Sequence, residues 1–345
     1  MFDKTEFPVI DAHIHIMGGI DSIEVIKKQK AQYGYSAANI LSIEAMGDNT
    51  QNAKCIAYKH LSPGDYAFAG LNYKSHKDFL TQAKVLYDMG FDGFKMIEGK
   101  PDVRKQIGIA LDDPSYDPFY SFLEEKELPL LLHTADPATF WDAEKTPSFA
   151  KENGWFYGDG SHLSKEEINS EVEGVLRKHR NLKLILAHFY FMSDDLDRAE
   201  RLMDEFPNLH FDITPGTEMF TDFSRDINAA KTFFNKYQNR IIFGTDNFDI
   251  ESEDDRDIKD VINNLLYSFL CSDKEFCSWD LKLCGINLEQ AALENILYKN
   301  FQRLVVAPRL INKEKVIEYC TKLIESDFIT QPAGAQTLRE VINLF

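Results

Sequence analysis

The segment "PVIDAHIHIMGG", residues 8 to 19, carries His13 and His15 one residue apart at the end of a short apolar run, just ahead of a glycine pair. Side chains two apart on a strand point to the same side, so both imidazoles can reach one ion. Other apolar runs end in the same way. "GFDGFKMI" carries Lys95, "LPLLLHT" His133, "LKLILAH" His188 and "RIIFGTD" Asp246. Imidazole with carboxylate is ligand chemistry for zinc, iron, manganese or nickel, and a catalytic ion takes three or four such ligands with one position open for water. A lone strand histidine is more often hydrogen-bonded than a ligand. Four histidines and an aspartate at corresponding ends of separate strands point to a metal centre.

Those residues meet only if their strands share one sheet with the same ends together. Eight strand-length runs recur: "PVIDAHI", "AANILSIEA", "YAFAGLNY", "GFDGFKMI", "LPLLLHT", "LKLILAH", "NLHFDIT" and "RIIFGTD". Between them lie segments such as "SIEVIKKQKAQYG", "HKDFLTQAKVLYDMG" and "SKEEINSEVEGVLRKH", with apolar residues at three and four spacing and charges opposite. Such segments are crossover helices. Gly90 after Met89, and Ser164 three residues before Glu167, supply stop and start punctuation. Runs as uniformly apolar as "LKLILA" suit parallel strands covered on both faces. The expected fold is α/β, a (β/α)8 TIM barrel with extra C-terminal helices; a doubly wound open sheet is second.

The 345 residues are expected to form a single domain over 1–345, with the barrel at about 8–275 and a helical extension at about 276–345. In a barrel, function gathers at the C-terminal ends of the strands and in the loops after them. The stretch from Thr134 to Leu163 is a long loop on that face and is expected to cover the site. It offers Asp136, Trp141, Asp142, Trp155 and Tyr157; Glu44 follows strand 2, Glu98 follows Lys95 and Glu218 follows strand 7. Of these, Lys95, Glu98, Asp136, Trp141, Tyr157 and Glu218 are the substrate-binding candidates. Asp11 is expected to orient a ligand imidazole from behind.

Formal charge is −18 with no basic block, which argues against a nucleic-acid partner. The start "MFDKTEFPV" has no leader pattern, and no apolar stretch has membrane length. Five cysteines without close pairing read as reduced thiols, so a cytoplasmic location is expected. The expected partner is a small-molecule substrate, with no nucleic acid and no membrane; assembly into a homo-oligomer stays open.

Taken together, "VIDAHIH", "LLLHTADP", "LILAHF", "IIFGTD" and the late "ENILYKNFQRL" resemble the amidohydrolase superfamily, in its amidohydrolase-related branch of TIM-barrel metal-dependent hydrolases, from Val9 to about Leu304. The resemblance implies that His13, His15, His133 and Asp246 hold a divalent metal, with His188 and Lys95 as further candidates. Asp246 and His188 would be catalytic, Asp246 taking the proton of the attacking water. Asn300 would be structural. Zinc is the expected ion, one rather than two; a carboxylated Lys95 would bring in the second. A bound ion lowers the pKa of water from about 15.7 to about 7 and polarises a carbonyl. The expected activity is hydrolysis of a small, carboxylated ester, lactone or amide, with Lys95 and Lys100 offering positive charge. A decarboxylase or hydratase with the same ligands is the alternative, and a barrel without activity a third reading.

Overall fold

The computed structural model describes residues 7–75, 78–216, 218–249, 253–329 and 331–345, and side chains of 253–256 are not described. His76, at the start of one expected crossover segment, lies outside these residues. The chain alternates β1 Ile10–His15, α1 Ile23–Tyr33, β2 Ala37–Leu41, α2 Gln51–Leu61, β3 Tyr66–Ala69, α3 Phe79–Met89 and β4 Gly93–Gly99. Next come α4 Pro101–Ile107, α5 Asp117–Glu125, β5 Leu130–Thr134, α6 Ser148–Glu152, α7 Lys165–Lys178, β6 Leu184–Leu186, α8 Leu196–Glu205 and β7 Leu209–Asp212. Then follow α9 Met219–Arg225, α10 Ile227–Lys236, β8 Ile241–Ile242 and β9 Asn247–Phe248.

All neighbouring strands in this sheet pair in parallel, in chain order from β1 to β8, with β9 beside β1. β8 and β9 are two pieces of one eighth strand: the first pairs with β7 and the second with β1. Between them the N–H of Ala12 donates to the Phe243 carbonyl (3.1 Å) and that of Asp246 to the His13 carbonyl (2.9 Å). These bonds close the barrel. Asp246 interrupts the eighth strand with a left-handed backbone, φ 59°.

Local chemistry explains the helices. Ser164 and Glu167 form a reciprocal cap at the start of α7, and Asp78 accepts the Thr81 N–H at the start of α3. α3 ends at Gly90, φ 108°, where a Cβ would lie 2.5 Å from the Leu310 carbonyl, so glycine is required twice over. Inside the barrel Ile10, Ala12, Leu41, Tyr66, Phe68, Leu131, Ile185 and Ile242 form one apolar layer. A larger cluster joins the outer strand faces to the helices.

Beyond the eighth strand lie α11 Glu253–Cys271, a hairpin of β10 Glu275–Ser278 and β11 Leu281–Cys284, then α12 Gln290–Glu294, α13 Asn300–Leu304, α14 Lys313–Ile324 and α15 Pro332–Leu344. A π-helical turn, Asn295–Lys299, makes α12 and α13 one continuous helix. Phe301, Leu304 and Val305 close the N-terminal end of the barrel, with the Phe301 ring 5.0 Å from that of Tyr66. Burying Phe301 contributes about 2 kcal/mol. Asn300 donates to the carbonyls of Gln238 (2.7 Å) and Ile241 (2.6 Å), fixing the start of the eighth strand. The hairpin departs from the helical expectation for this region: "EFCS" and "LKLC" pair across Trp279 and Asp280, both at positive φ. Among the described residues no helix is long and apolar enough to cross a membrane.

Candidate metal centre

β1 has a register shift between Asp11 and Ile14. Ile10 and Ala12 belong to the barrel interior, whereas Ile14 and Ile16 pack in the outer layer. Such a bulge re-aims the side chains that follow it, and here it turns His13 and His15 into the mouth. Nε2 of His13 lies 3.2 Å from Nε2 of His15 and 3.3 Å from Oδ1 of Asp246, which is 3.2 Å from Nε2 of His15. Nζ of Lys95, on β4, is 3.4 Å from Nε2 of His13.

The orientation of each ring is set from behind. Nδ1 of His13 is 2.8 Å from Oδ2 of Asp212, Nδ1 of His15 is 3.2 Å from the Leu41 carbonyl, and Nδ1 of His188 is 3.3 Å from the Thr214 carbonyl. Each acceptor takes an Nδ1–H and leaves the Nε2 lone pair for the mouth. Burial lowers His13 to about 4, with the Lys95 charge acting the same way, and brings His188 to about 4 as well. Both are therefore neutral imidazoles, the form that ligates. Burial alone would raise Asp246, yet the His13, His15 and His188 rings hold its carboxyl well below the usual range. Burial lowers Lys95 to about 8, against the pull of Asp246 and Asp212.

The donor set fits a divalent ion. One ligand atom from each of His13, His15 and Asp246 lies within 4.8 Å of the others. Two ligand atoms on a tetrahedral zinc, with bonds of about 2.0–2.1 Å, lie roughly 3.3–3.4 Å apart, matching the spacing above.

His188 and His133 stand beside this trio, their rings 4.8 Å apart, with His188 5.6 Å from the ring of His13. His188 opens an unusual turn: His188, Phe189, Tyr190 and Phe191 have φ of 55°, 53°, 57° and 48°. Left-handed backbone costs about 1–2 kcal/mol per non-glycine residue. Packing of Phe189 against Phe211, Phe223 and Phe233, and a 2.6 Å bond from Lys165 Nζ to the Phe191 carbonyl, offset that cost. The turn lays the Phe191 ring against His188 (5.1 Å) and His133 (5.6 Å), making an apolar wall.

Several expected neighbours are held elsewhere. Asp11 does not orient an imidazole: its carboxylate accepts from the backbone of His13 and Thr245 and from the Thr245 hydroxyl. Asp212 does that work, and its signal was in the sequence, since "NLHFDIT" also ends in a carboxylate at the mouth. Burial raises the Asp212 carboxyl, but His13 and His188 bring it down to about 2. Glu98 binds the Tyr73 hydroxyl (2.8 Å), which contacts that of Tyr116 (2.6 Å), so it is not joined to Lys95. Glu44 receives the Asn52 N–H (3.0 Å) at the start of α2. Asp136 binds Lys100 and Tyr157, so Lys100 is not a free charge for a substrate. Trp141 donates to the Leu163 carbonyl (3.0 Å) and packs on Tyr157 within the loop between β5 and α7. Glu218 is half-buried before α9.

The family model described as Amidohydrolase matches residues 10–305. The chain belongs to the amidohydrolase family. No curated protein matches this amidohydrolase in sequence. Its fold is similar to that of an uncharacterized TIM-barrel protein, Bb4693 from Bordetella bronchiseptica, at 13% identity and TM-score 0.54, covering 87% of this chain and 99% of that one. It is also similar to 4-oxalomesaconate hydratase, LigJ, from Rhodopseudomonas palustris, at 15% identity and TM-score 0.54, covering 86% and 95%. Metarhizium anisopliae IDCase gives 12% identity and TM-score 0.54, covering 89% and 99%.

Proposed function

We propose that this amidohydrolase is a metal-dependent hydrolase of a small, carboxylated ester, lactone or amide. The observation that carries the reading is the convergence of two Nε2 lone pairs and the Asp246 carboxylate, backed by Asp212, at one barrel mouth. His13, His15 and Asp246 would hold a divalent ion, zinc first, with His133 completing the set. When bound, that ion makes water acidic enough to ionise near neutral pH and polarises a carbonyl. Asp246, as the carboxylate at the mouth, would accept the proton of the attacking water. Neutral His188, its Nδ1–H on the Thr214 carbonyl, directs Nε2 at the mouth, where it stabilises or relays charge at the reacting group. Phe191 excludes water beside it. Lys95 remains the cation for a substrate carboxylate. Five free cysteines fit a reducing, cytoplasmic setting.

The second reading is a lyase, a hydratase or decarboxylase using the same ligands, favoured by the fold likeness to a protein named as a hydratase. Turnover in water enriched in heavy oxygen separates the two. Label in a newly formed carboxylate supports hydrolysis. Stoichiometric carbon dioxide without such label, or water addition without bond cleavage, overturns it.

A further inference from the structure

The register shift in β1 sets two residues, Ala12 and His13, against one residue of β2, Asn39. Ile10 and Ala12 face the barrel interior, and strict alternation would carry Ile14 inward next and turn His13 and His15 out toward the helices. The extra residue reverses that order. It also breaks the ladder, and a buried main-chain group left without a partner costs about 1–3 kcal/mol. The Ala12 N–H and the His13 carbonyl bond the eighth strand, at Phe243 (3.1 Å) and Asp246 (2.9 Å). Side chains meet the other two groups: Nδ2 of Asn39 donates to the Ala12 carbonyl (3.1 Å), and Oδ1 of Asp11 accepts the His13 N–H (3.1 Å).

Asn39 and Asp11 are both fully buried. Oδ1 of Asn39 has no hydrogen-bond partner among the described residues, so the bond to Ala12 is what orients its amide. Asp11 reaches further. The same Oδ1 accepts the Thr245 N–H (3.1 Å), and Oδ2 accepts the Thr245 hydroxyl, whose oxygen accepts the Asn247 N–H (3.2 Å). Thr245 and Asn247 flank Asp246, the left-handed break in the eighth strand. One buried side chain therefore spans both irregularities that present candidate ligands.

We propose that Asn39 and Asp11 are positioning residues for the barrel mouth: Asn39 holds the bulge that points His13 and His15 inward, and Asp11 ties that bulge to the break that presents Asp246. Both act through the main chain, so donor and acceptor matter and charge does not. That separates Asp11 from Asp212, which meets the His13 ring itself. The inference rests on the mouth being a metal centre, but one of its two readouts is taken without metal, so the two ideas fail separately.

The test compares Asn39→Leu, Asp11→Leu and Asp11→Asn with the parent. The first measurement is amide exchange in metal-free protein labelled with nitrogen-15 at histidine and threonine, with the His188 amide reporting opening of the whole fold. In both leucine variants the His13 amide should exchange about tenfold faster relative to His188, and in Asp11→Leu the Thr245 amide should do the same. Asp11→Asn keeps a carbonyl oxygen for both N–H groups, and the Thr245 hydroxyl turns to accept from its NH2, so both amides keep the parental rate. The second measurement is zinc retention against a chelator, expected about 10–100-fold weaker in the leucine variants and within about threefold of the parent in Asp11→Asn. Equal acceleration at His13, Thr245 and His188, or leucine variants that hold zinc as the parent does, overturns the proposal. An Asp11→Asn that loses zinc about tenfold also overturns it, because the charge would then be the working part. Should the leucine variants fail to fold, Asp11→Asn decides: parental exchange supports the proposal, and faster exchange at His13 and Thr245 overturns it. A parent that holds no zinc removes the metal reading, and the exchange rates then decide alone.

Discussion

Oδ2 of Asp212, on β7, lies 2.8 Å from Nδ1 of His13, on β1, and both side chains are buried. A carboxylate behind an imidazole fixes the tautomer and makes the facing nitrogen more basic. Asp212→Asn should therefore weaken metal retention by about 10–100-fold without removing any ligand. Competition against a chelator measures it. Unchanged affinity would mean that the pair is structural.

Asp246→Asn keeps the shape of the site and removes the proton acceptor. Turnover should fall by about a hundred- to ten-thousand-fold with little change in KM. Steady-state kinetics on the best substrate decides; a variant with near-parental kcat moves the acceptor to His188.

Glu44 gives a pH signature far from turnover. Burial pushes its carboxyl from 4.5 up to about 7. A group that binds its proton more tightly when folded adds stability below the unfolded pKa, and that stability is lost as pH rises through the folded one. Glu44→Gln, whose side-chain oxygen still accepts the Asn52 N–H, removes this dependence. Between pH 5 and pH 8 the variant should gain about 1–3 kcal/mol relative to the parent. Urea unfolding at both pH values measures it, and a constant difference would contradict the raised pKa.

The barrel was legible because apolar runs and amphipathic segments report local burial, and eight alternations leave few topologies. His13, His15 and Asp246 were legible because each is a polar residue closing an apolar run. The same rule, applied to "NLHFDIT", finds Asp212. The bulge in β1 was not legible, since "DAHIH" reads as uninterrupted alternation and only pairing with β2 and the eighth strand breaks the register. Nor was the Lys100, Asp136 and Tyr157 cluster: these residues are 36 and 21 positions apart, and nothing local says that Tyr157 will fold back onto a carboxylate at the start of its own loop. The hairpin at Glu275–Cys284 was hidden by helical patterns on both sides.

Lys95 bears on the number of ions. With Nζ 3.4 Å from Nε2 of His13, it stands where a carboxylated lysine would join two ions. One ion and an unmodified Lys95 are expected, and the intact mass of the native protein, read with electron density at Lys95, reports a carbamate directly. A carbamate with a second ion would replace the one-ion reading.

Elemental analysis of protein expressed with ample metal tests the central claim most directly, run side by side on the parent and on the His13→Ala/His15→Ala double variant. The account expects about one equivalent of a divalent transition metal, zinc first, in the parent and none in a double variant whose circular dichroism stays that of a folded barrel. A parent without stoichiometric metal, or a folded double variant that keeps it, would contradict the assignment of the barrel mouth as a metal centre.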